Sequence, residues 1–338
     1  MTSVIHCLTR DLNKNYATMF AILAVCLCSC ASETRPSELY RDRVISHTSC
    51  QMCDLRYADL SKLDLTGGDY SGSYLFGANL SWSVLDSVNL SDTTLDFTRM
   101  EWSSLEGSNL RNAYLEDASM FRSVLRHTNM QMANLSRANL SNSDLRHADL
   151  STAVLENAEL SASDLSNANL RNANLRGTKL IGVTMGSTDL QNAVMTHAIL
   201  RDSSLEGSIF IGTILEGASF NAATISHTNF RSADLRMADF RGATLDVVNL
   251  QGADLRQANF SGARMTNVIL RDANLCGTIM SDGSIGVCQK PEDSLQTPNA
   301  TIPANPIPNP PSTLPIKPGL YRDDQKGTDS IMRNGTVL

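Results

Sequence analysis

From Leu55 to Ile285, every residue whose number is a multiple of five is apolar: Leu in most places, otherwise Met, Phe, Ile or the single Tyr70. Two residues before each stands a small side chain, as in Ala133, Ala138, Ser143, Ala148, Ala153 and Ala158. Leu63 is the main departure, and Val takes the place at Val88, Val183, Val248 and Val268. No insertion breaks the register. A period of five matches neither the 3.6 of a helix nor the alternation of an ordinary strand. It matches a short extended segment whose small and large residues point inward, with the residue between them pointing outward and the next two turning a corner. Four such sides close a coil of about twenty residues, and stacking at about 4.8 Å gives about 11–12 coils in a rod about 55 Å long. Burying a Leu-sized side chain is worth about 1.5 to 3 kcal/mol before entropy is charged. The apolar column is therefore the whole core.

Residues twenty apart should stack directly. Phe220, Phe240 and Phe260 are expected to form one internal ladder, and Phe210 with Phe230 a second on the opposite side, making the C-terminal end wider or more tightly filled. Solenoids need caps. A short helix opening at Ser37-Glu38-Leu39-Tyr40 and running to about Ile45 is expected to cover the first coil.

The stretch ANLSRANLSNSDLRHADL, residues 133–150, shows the unit plainly. It resembles the pentapeptide-repeat family, written A(D/N)LXX, and the resemblance spans about two thirds of the chain. It implies an all-β fold, a right-handed quadrilateral β-helix.

The flanks differ from the repeat. Arg10 and Lys14 precede an apolar run from Tyr16 to Leu27, too short to span a bilayer and typical of a signal peptide. It ends in Leu27-Cys28-Ser29-Cys30, which resembles the bacterial lipoprotein box and marks Cys30 for lipidation. Cleavage near Ser32 by an ordinary signal peptidase is the alternative, and would leave a soluble secreted protein. After Cys288 a Pro, Asn and Thr rich segment lacks apolar periodicity and should be disordered or polyproline-like. The expected organisation is a signal peptide with lipobox over 1–30, a spacer and capping helix over 31–49, the β-helix over 50–290 and a disordered Pro-rich tail over 291–338.

Composition narrows the chemistry. A net charge of -7 argues against a nucleic-acid binder. Of eight cysteines, Cys7, Cys26, Cys28 and Cys30 belong to the targeting segment, leaving Cys50 with Cys53 at the rod's entrance and Cys276 with Cys288 at its exit. Outside the cytoplasm two local disulfides are the preferred reading, with free thiols the other. A single four-Cys zinc site is excluded, because the ends of the rod lie too far apart for bonds of about 2.3 Å. His127 and His147 share a corner beside Arg126 and Arg146, where two cations disfavour a metal. Ser and Asp recur in nearly every coil, so no catalytic arrangement stands out, and neither a cofactor nor a metal is expected.

One departure from the repeat is informative. Tyr74, Phe76, Trp82, Phe97, Trp102, Tyr114 and Phe121 occupy outward positions. Trp82, Trp102 and Phe121 fall on one corner and Phe76 with Phe97 on its neighbour, flanking a side whose outward residues are Asp59, Asn79, Arg99 and Ser119. Such a patch is either a binding surface or packs within the chain. Residues 51–165 carry 16 acidic and 8 basic residues, which favours a basic or amphipathic partner.

The expectation is a non-catalytic structural or protein-interaction module, anchored by lipid in the bacterial cell envelope and facing the periplasm or exterior. Its partner is an unidentified protein or envelope component, and a homo-oligomer is left open. Two alternatives are a DNA mimic acting on DNA gyrase and a carbohydrate or cell-wall binder using the aromatic patch. Scattered arginines on the acidic faces, among them Arg111, Arg171, Arg231 and Arg271, and a Pro-rich tail oppose the first.

Overall fold

The computed structural model describes residues 49–288. Within them the chain repeats one local move. Most lumen residues accept a hydrogen bond from the N–H three residues on, closing a β-turn: Leu135 from Ala138 and Leu150 from Ala153, both at 3.0 Å. The second central residue of each turn takes a positive φ, 59° at Asn142 and at His147, as a type II turn requires. Most are not glycine, so the conformation must be compensated. It aims the N–H along the stack: Asn142 donates to the Ser161 carbonyl and Arg137 to that of Glu156, each at 2.9 Å.

The outward residue just before each lumen position secures the same corner. Asn139 Oδ1 accepts from the Ser141 N–H at 3.0 Å, and Asp164 Oδ1 from that of Ser166 at 2.9 Å. These Asx turns satisfy a turn donor locally. They explain why Asp and Asn recur at that one place in the repeat.

Successive coils pair in parallel at an offset of twenty residues. Asp54 pairs with Tyr74, Asp59 with Asn79, Asp64 with Val84 and Asp69 with Asn89, which gives four sides per coil. Three sides near the C-terminus lengthen into strands β1 (Thr224–Ser226), β2 (Thr244–Asp246) and β3 (Arg264–Thr266), stacked as a parallel sheet in the order β1-β2-β3. No helix lies among the described residues, and no helix there is long and apolar enough to cross a membrane. The expected capping helix, signal peptide, lipobox and Pro-rich tail fall outside the described residues.

The lumen is filled as the five-residue pattern implies. Apolar residues at multiples of five are buried from Leu55 to Phe260, together with the small residue two places before, except Ala58, which is partly buried. Where that small residue is Ser or Thr, its hydroxyl donates to a backbone carbonyl: Thr93 to Leu90 at 2.6 Å, Thr178 to Leu155 at 2.8 Å. Burial of these hydroxyls is thus compensated. Ser108 Oγ is the exception, without a partner.

Phe220, Phe240 and Phe260 form a ladder with ring centroids 4.7 and 4.6 Å apart and planes within 3°. Phe210 and Phe230 stack at 4.7 Å, and the two ladders meet edge to face, Phe220 to Phe230 at 5.9 Å and 89°. Both arrangements suit the ring quadrupole.

The two ends differ. In the first coil Leu55, Leu65 and Tyr70 are no more than 6% exposed. In the last, Met265, Leu270 and Leu275 are only partly buried. One side of this last coil is covered by the chain turning back: Ile279 pairs antiparallel with Ile285, and Gly286 donates to the Thr278 carbonyl at 2.8 Å. Cys276 is bonded to Cys288 on this side, and Cys50 to Cys53 at the other end.

On the outer surface, Asp-Leu-Arg units pair within one turn. Arg56 reaches both oxygens of Asp54 at 2.8 and 2.6 Å, and Arg146 does the same to Asp144. Hydrogen bonds from these guanidiniums hold both carboxyls below the usual carboxylate range. Asp96 goes the other way: burial pushes it up, with the Glu116 N–H at 2.8 Å opposing and the Glu116 charge adding.

Two predictions follow from packing and charge. Phe240→Ala removes the middle of a ladder and should cost about 3 to 5 kcal/mol in chemical denaturation; a loss below about 1 kcal/mol would mean the lumen is not close-packed. As for pH, a depressed Asp stabilises the fold above its unfolded pKa, and that contribution is lost as pH falls through the folded value; Asp54 and Asp144 are of this kind. The raised Asp96 has the opposite sign, stabilising at low pH and losing this as its carboxyl ionises. The melting temperature should therefore fall as pH drops below about 4. Asp96→Asn should raise it at pH 7 and leave it unchanged near pH 3, as read by thermal melts of both proteins.

Candidate functional site

Corner residues point away from the lumen, and those twenty apart are brought into register by the coil-to-coil hydrogen bonds. Trp82, at φ 64°, and Trp102, at φ 60°, hold equivalent places in successive turns. Their rings stack with centroids 5.0 Å apart and planes within 4°. Phe121, from the next coil, meets Trp102 edge-on at 6.3 Å. The Arg122 guanidinium caps this column, 4.7 Å from the Trp102 ring centroid and 5.2 Å from that of Phe121. Such cation–π contacts are worth about 0.5–1 kcal/mol at exposed sites.

The neighbouring corner carries a second column. Phe76 lies 5.3 Å from Phe97 and 5.6 Å from Tyr57, the latter edge-on. Tyr57 is 72% exposed and extends the patch one coil toward the N-terminus, beyond the residues singled out by sequence. Its place two residues after a lumen Leu is the same as that of Phe97, which is the signal that identifies it. Gly77 makes room for it: a Cβ there would lie 2.8 Å from the Tyr57 ring.

Between the columns runs one side of the rod, with Asp59, Asn79, Arg99 and Ser119 paired in register. Asn79 donates to Asp59 at 3.0 Å, and at the Trp corner the Ser81 hydroxyl donates to Glu101 at 2.7 Å. Trp82, Phe97 and Trp102 are 56%, 54% and 41% exposed. Tyr74 is also exposed, on the next side round, whereas Phe76, Tyr114 and Phe121 are half-buried. Tyr74 and Tyr114 make no ring contact with either column, so the structure gathers Tyr57, Phe76, Trp82, Phe97, Trp102 and Phe121 into one face and leaves those two beside it.

The acidic groups around this face are less free than their number suggests. Arg137 binds both Glu116 and Asp117, and Arg126 binds Glu106 at 2.7 Å. His127 and His147 stack at 4.8 Å, but no group of three metal-binding side chains exists among the described residues. The face offers flat apolar area with polar groups along its centre, an arrangement suited to binding rather than to bond making.

The solved structure of HetL, a pentapeptide repeat protein involved in heterocyst differentiation regulation in the cyanobacterium Nostoc sp. Strain PCC 7120, is similar at TM-score 0.52 and 28% identity, over 72% of this chain and 93% of its own. A trypsin-treated form of QnrB1, a plasmid-mediated fluoroquinolone resistance protein, aligns at TM-score 0.36 and 17% identity, over 63% of this chain and 89% of its own. No curated protein sequence matches the chain. The family model for pentapeptide repeats matches in 8 copies, at residues 53–92, 73–112, 118–157, 158–196, 188–227, 198–236, 215–246 and 248–282. With the repeat, its twenty-residue pairing and these matches together, the chain belongs to the pentapeptide repeat family.

Proposed function

We propose that this protein is a non-catalytic interaction module of the bacterial cell envelope, a right-handed rod held to the membrane by a lipid on Cys30. Its partner docks on the aromatic face. The observation that carries this is the pair of exposed ring columns, Trp82 with Trp102 and Tyr57 with Phe97, on either side of one polar strip. Exposed aromatic area of this kind is costly in water and concentrates binding energy when covered.

Two details favour a protein partner over the alternatives. Trp102 has one ring face against Trp82 and the other under Arg122, which leaves ring edges rather than open faces for a sugar to stack on. A DNA mimic needs a continuous run of free acid, whereas Asp54, Asp144, Asp234, Asp239 and Asp254 each carry an arginine from the same turn. The Cys50–Cys53 and Cys276–Cys288 bonds suit an oxidising compartment, in keeping with export.

The anchor is tested by metabolic fatty-acid labelling. Wild type should take up label and Cys30→Ser should not; an unlabelled wild type in the soluble fraction refutes the anchor. The face is tested by replacing Trp82 and Trp102 together with Ala. Both lie outside the lumen, so the melting temperature should barely move, while affinity capture of the envelope partner should fall at least tenfold, the loss of about 1.4 kcal/mol or more expected of a hot spot. Undiminished capture would move the binding site elsewhere on the rod.

A further inference from the structure

The side of the rod next to the aromatic face departs from the repeat in a way the fold does not use. Outward residues on this side ordinarily hold the following corner: Asn134 Oδ1 accepts from the Ser136 N–H at 3.1 Å, and Asn174 Oδ1 from that of Arg176 at 3.2 Å. In three successive coils that place is taken by Tyr74, Thr94 and Tyr114, paired in register. The Asx turn is given up there, and the Glu116 N–H turns instead to Asp96 at 2.8 Å. Three outward places in a row therefore serve no turn.

Their surroundings leave them open. Tyr74 is 53% exposed, and Thr94 and Tyr114 are half-buried. Among the described residues the three hydroxyls have no hydrogen-bond partner, and neither tyrosine ring meets another ring or a cation. Trp102, by contrast, is closed between Trp82 and Arg122. Charges on the flanking corners are spent within the rod: Glu116 binds Arg137, Asp92 accepts from Asn112 at 2.7 Å, and Arg111 donates to Gln131. The row is thus uncharged, with two phenol rings two coils apart, about 9.6 Å at the inter-strand spacing, and a hydroxyl between them.

This chemistry suits a sugar polymer better than a peptide strand. A strand would need open backbone edges, whereas the backbone here is already paired on both sides, as Thr94 donates to the Ser73 carbonyl and accepts from Leu75. The C–H groups on one face of a pyranose ring are drawn to the negative face of an aromatic ring. The sugar hydroxyls can meet side-chain hydroxyls that both donate and accept. A chain of β-1,4-linked pyranoses runs straight and turns each ring over relative to the last. It therefore presents the same face at every second ring, close to the separation of Tyr74 and Tyr114.

We propose that this side binds a straight, uncharged, β-linked polysaccharide lying along the rod axis, with sugar rings on Tyr74 and Tyr114 and the ring between them hydrogen-bonded to Thr94. The site is separate from the aromatic face and does not depend on the protein partner assigned to that face.

The test is calorimetric titration and amide chemical-shift mapping of the full-length chain, in a detergent without a sugar head group. The probes are chitohexaose and cellohexaose, which are straight β-linked chains with and without acetamido groups, and maltohexaose, whose α-linkages make it coil. At least one straight chain should bind, with shifts centred on Tyr74, Thr94 and Tyr114, and maltohexaose should bind at least tenfold more weakly. Which straight chain binds tells whether acetamido groups are recognised. Tyr74→Ala with Tyr114→Ala should weaken binding at least tenfold, and Tyr74→Phe with Tyr114→Phe, which keeps the rings, should weaken it less. Both side chains lie outside the lumen, so the melting temperature should barely move, and the wild-type shift map stands whether or not a variant folds. Failure of both straight chains to bind overturns the proposal. So do equal binding of maltohexaose, shifts centred on Trp82 and Trp102, and a folded Tyr-to-Ala variant that binds as tightly as wild type.

Discussion

Every corner of the rod depends on one backbone device, the left-handed residue at the second place of each turn. With φ near 60° it turns the chain from one side onto the next within two residues and at the same time points its N–H along the stack toward the next coil. The strain of holding Asn, His, Arg or Trp in this region is met by that inter-coil bond and by the turn bond from the preceding lumen carbonyl. The turn bond is local, but the inter-coil bond forms only when the neighbouring coil is in place. Stability is therefore cooperative between adjacent coils and nearly independent of what lies further along, as expected of a one-dimensional array.

The same device explains the outer surface. Side chains at equivalent corners are forced into columns at the coil spacing, whatever their chemistry. His127 and His147 stack at 4.8 Å as faithfully as Trp82 and Trp102 at 5.0 Å. Stacking by itself thus carries no functional message in this fold. What separates the aromatic face from the other columns is exposed apolar area, spread over two adjacent corners with a polar side between them.

The ends of such an array are where its periodic bonding must stop, and this chain stops it unequally. At the N-terminal coil the lumen is closed. At the C-terminal coil the returning segment at Ile285 and Gly286 pairs with one side of four, and the other three find no backbone partner among the described residues. Solenoid ends are costly wherever they are left open.

The lumen was legible in the sequence because a strict five-residue register leaves no freedom: once Phe220, Phe240 and Phe260 are twenty apart, coil geometry must stack them. The alignment of Trp82 with Trp102, and of Asp59 with Ser119, followed for the same reason. Other features depend on side-chain placement that no spacing encodes. Tyr57 joins the aromatic face because Gly77 leaves room beneath its ring, and Arg122 covers Trp102 because a long side chain can lie back over the preceding coil. In the acidic half Asp54 and Asp144 are met across a single turn by Arg56 and Arg146, and Glu106, Glu116 and Asp117 by the arginines Arg126 and Arg137 of the next coil. The sequence by itself determined the repeat, the fold and the columns, because these are consequences of period. Only the tertiary structure decided which columns stay exposed, which charges remain free and which end of the rod is open, because these depend on how the last few side chains and the returning strand actually pack.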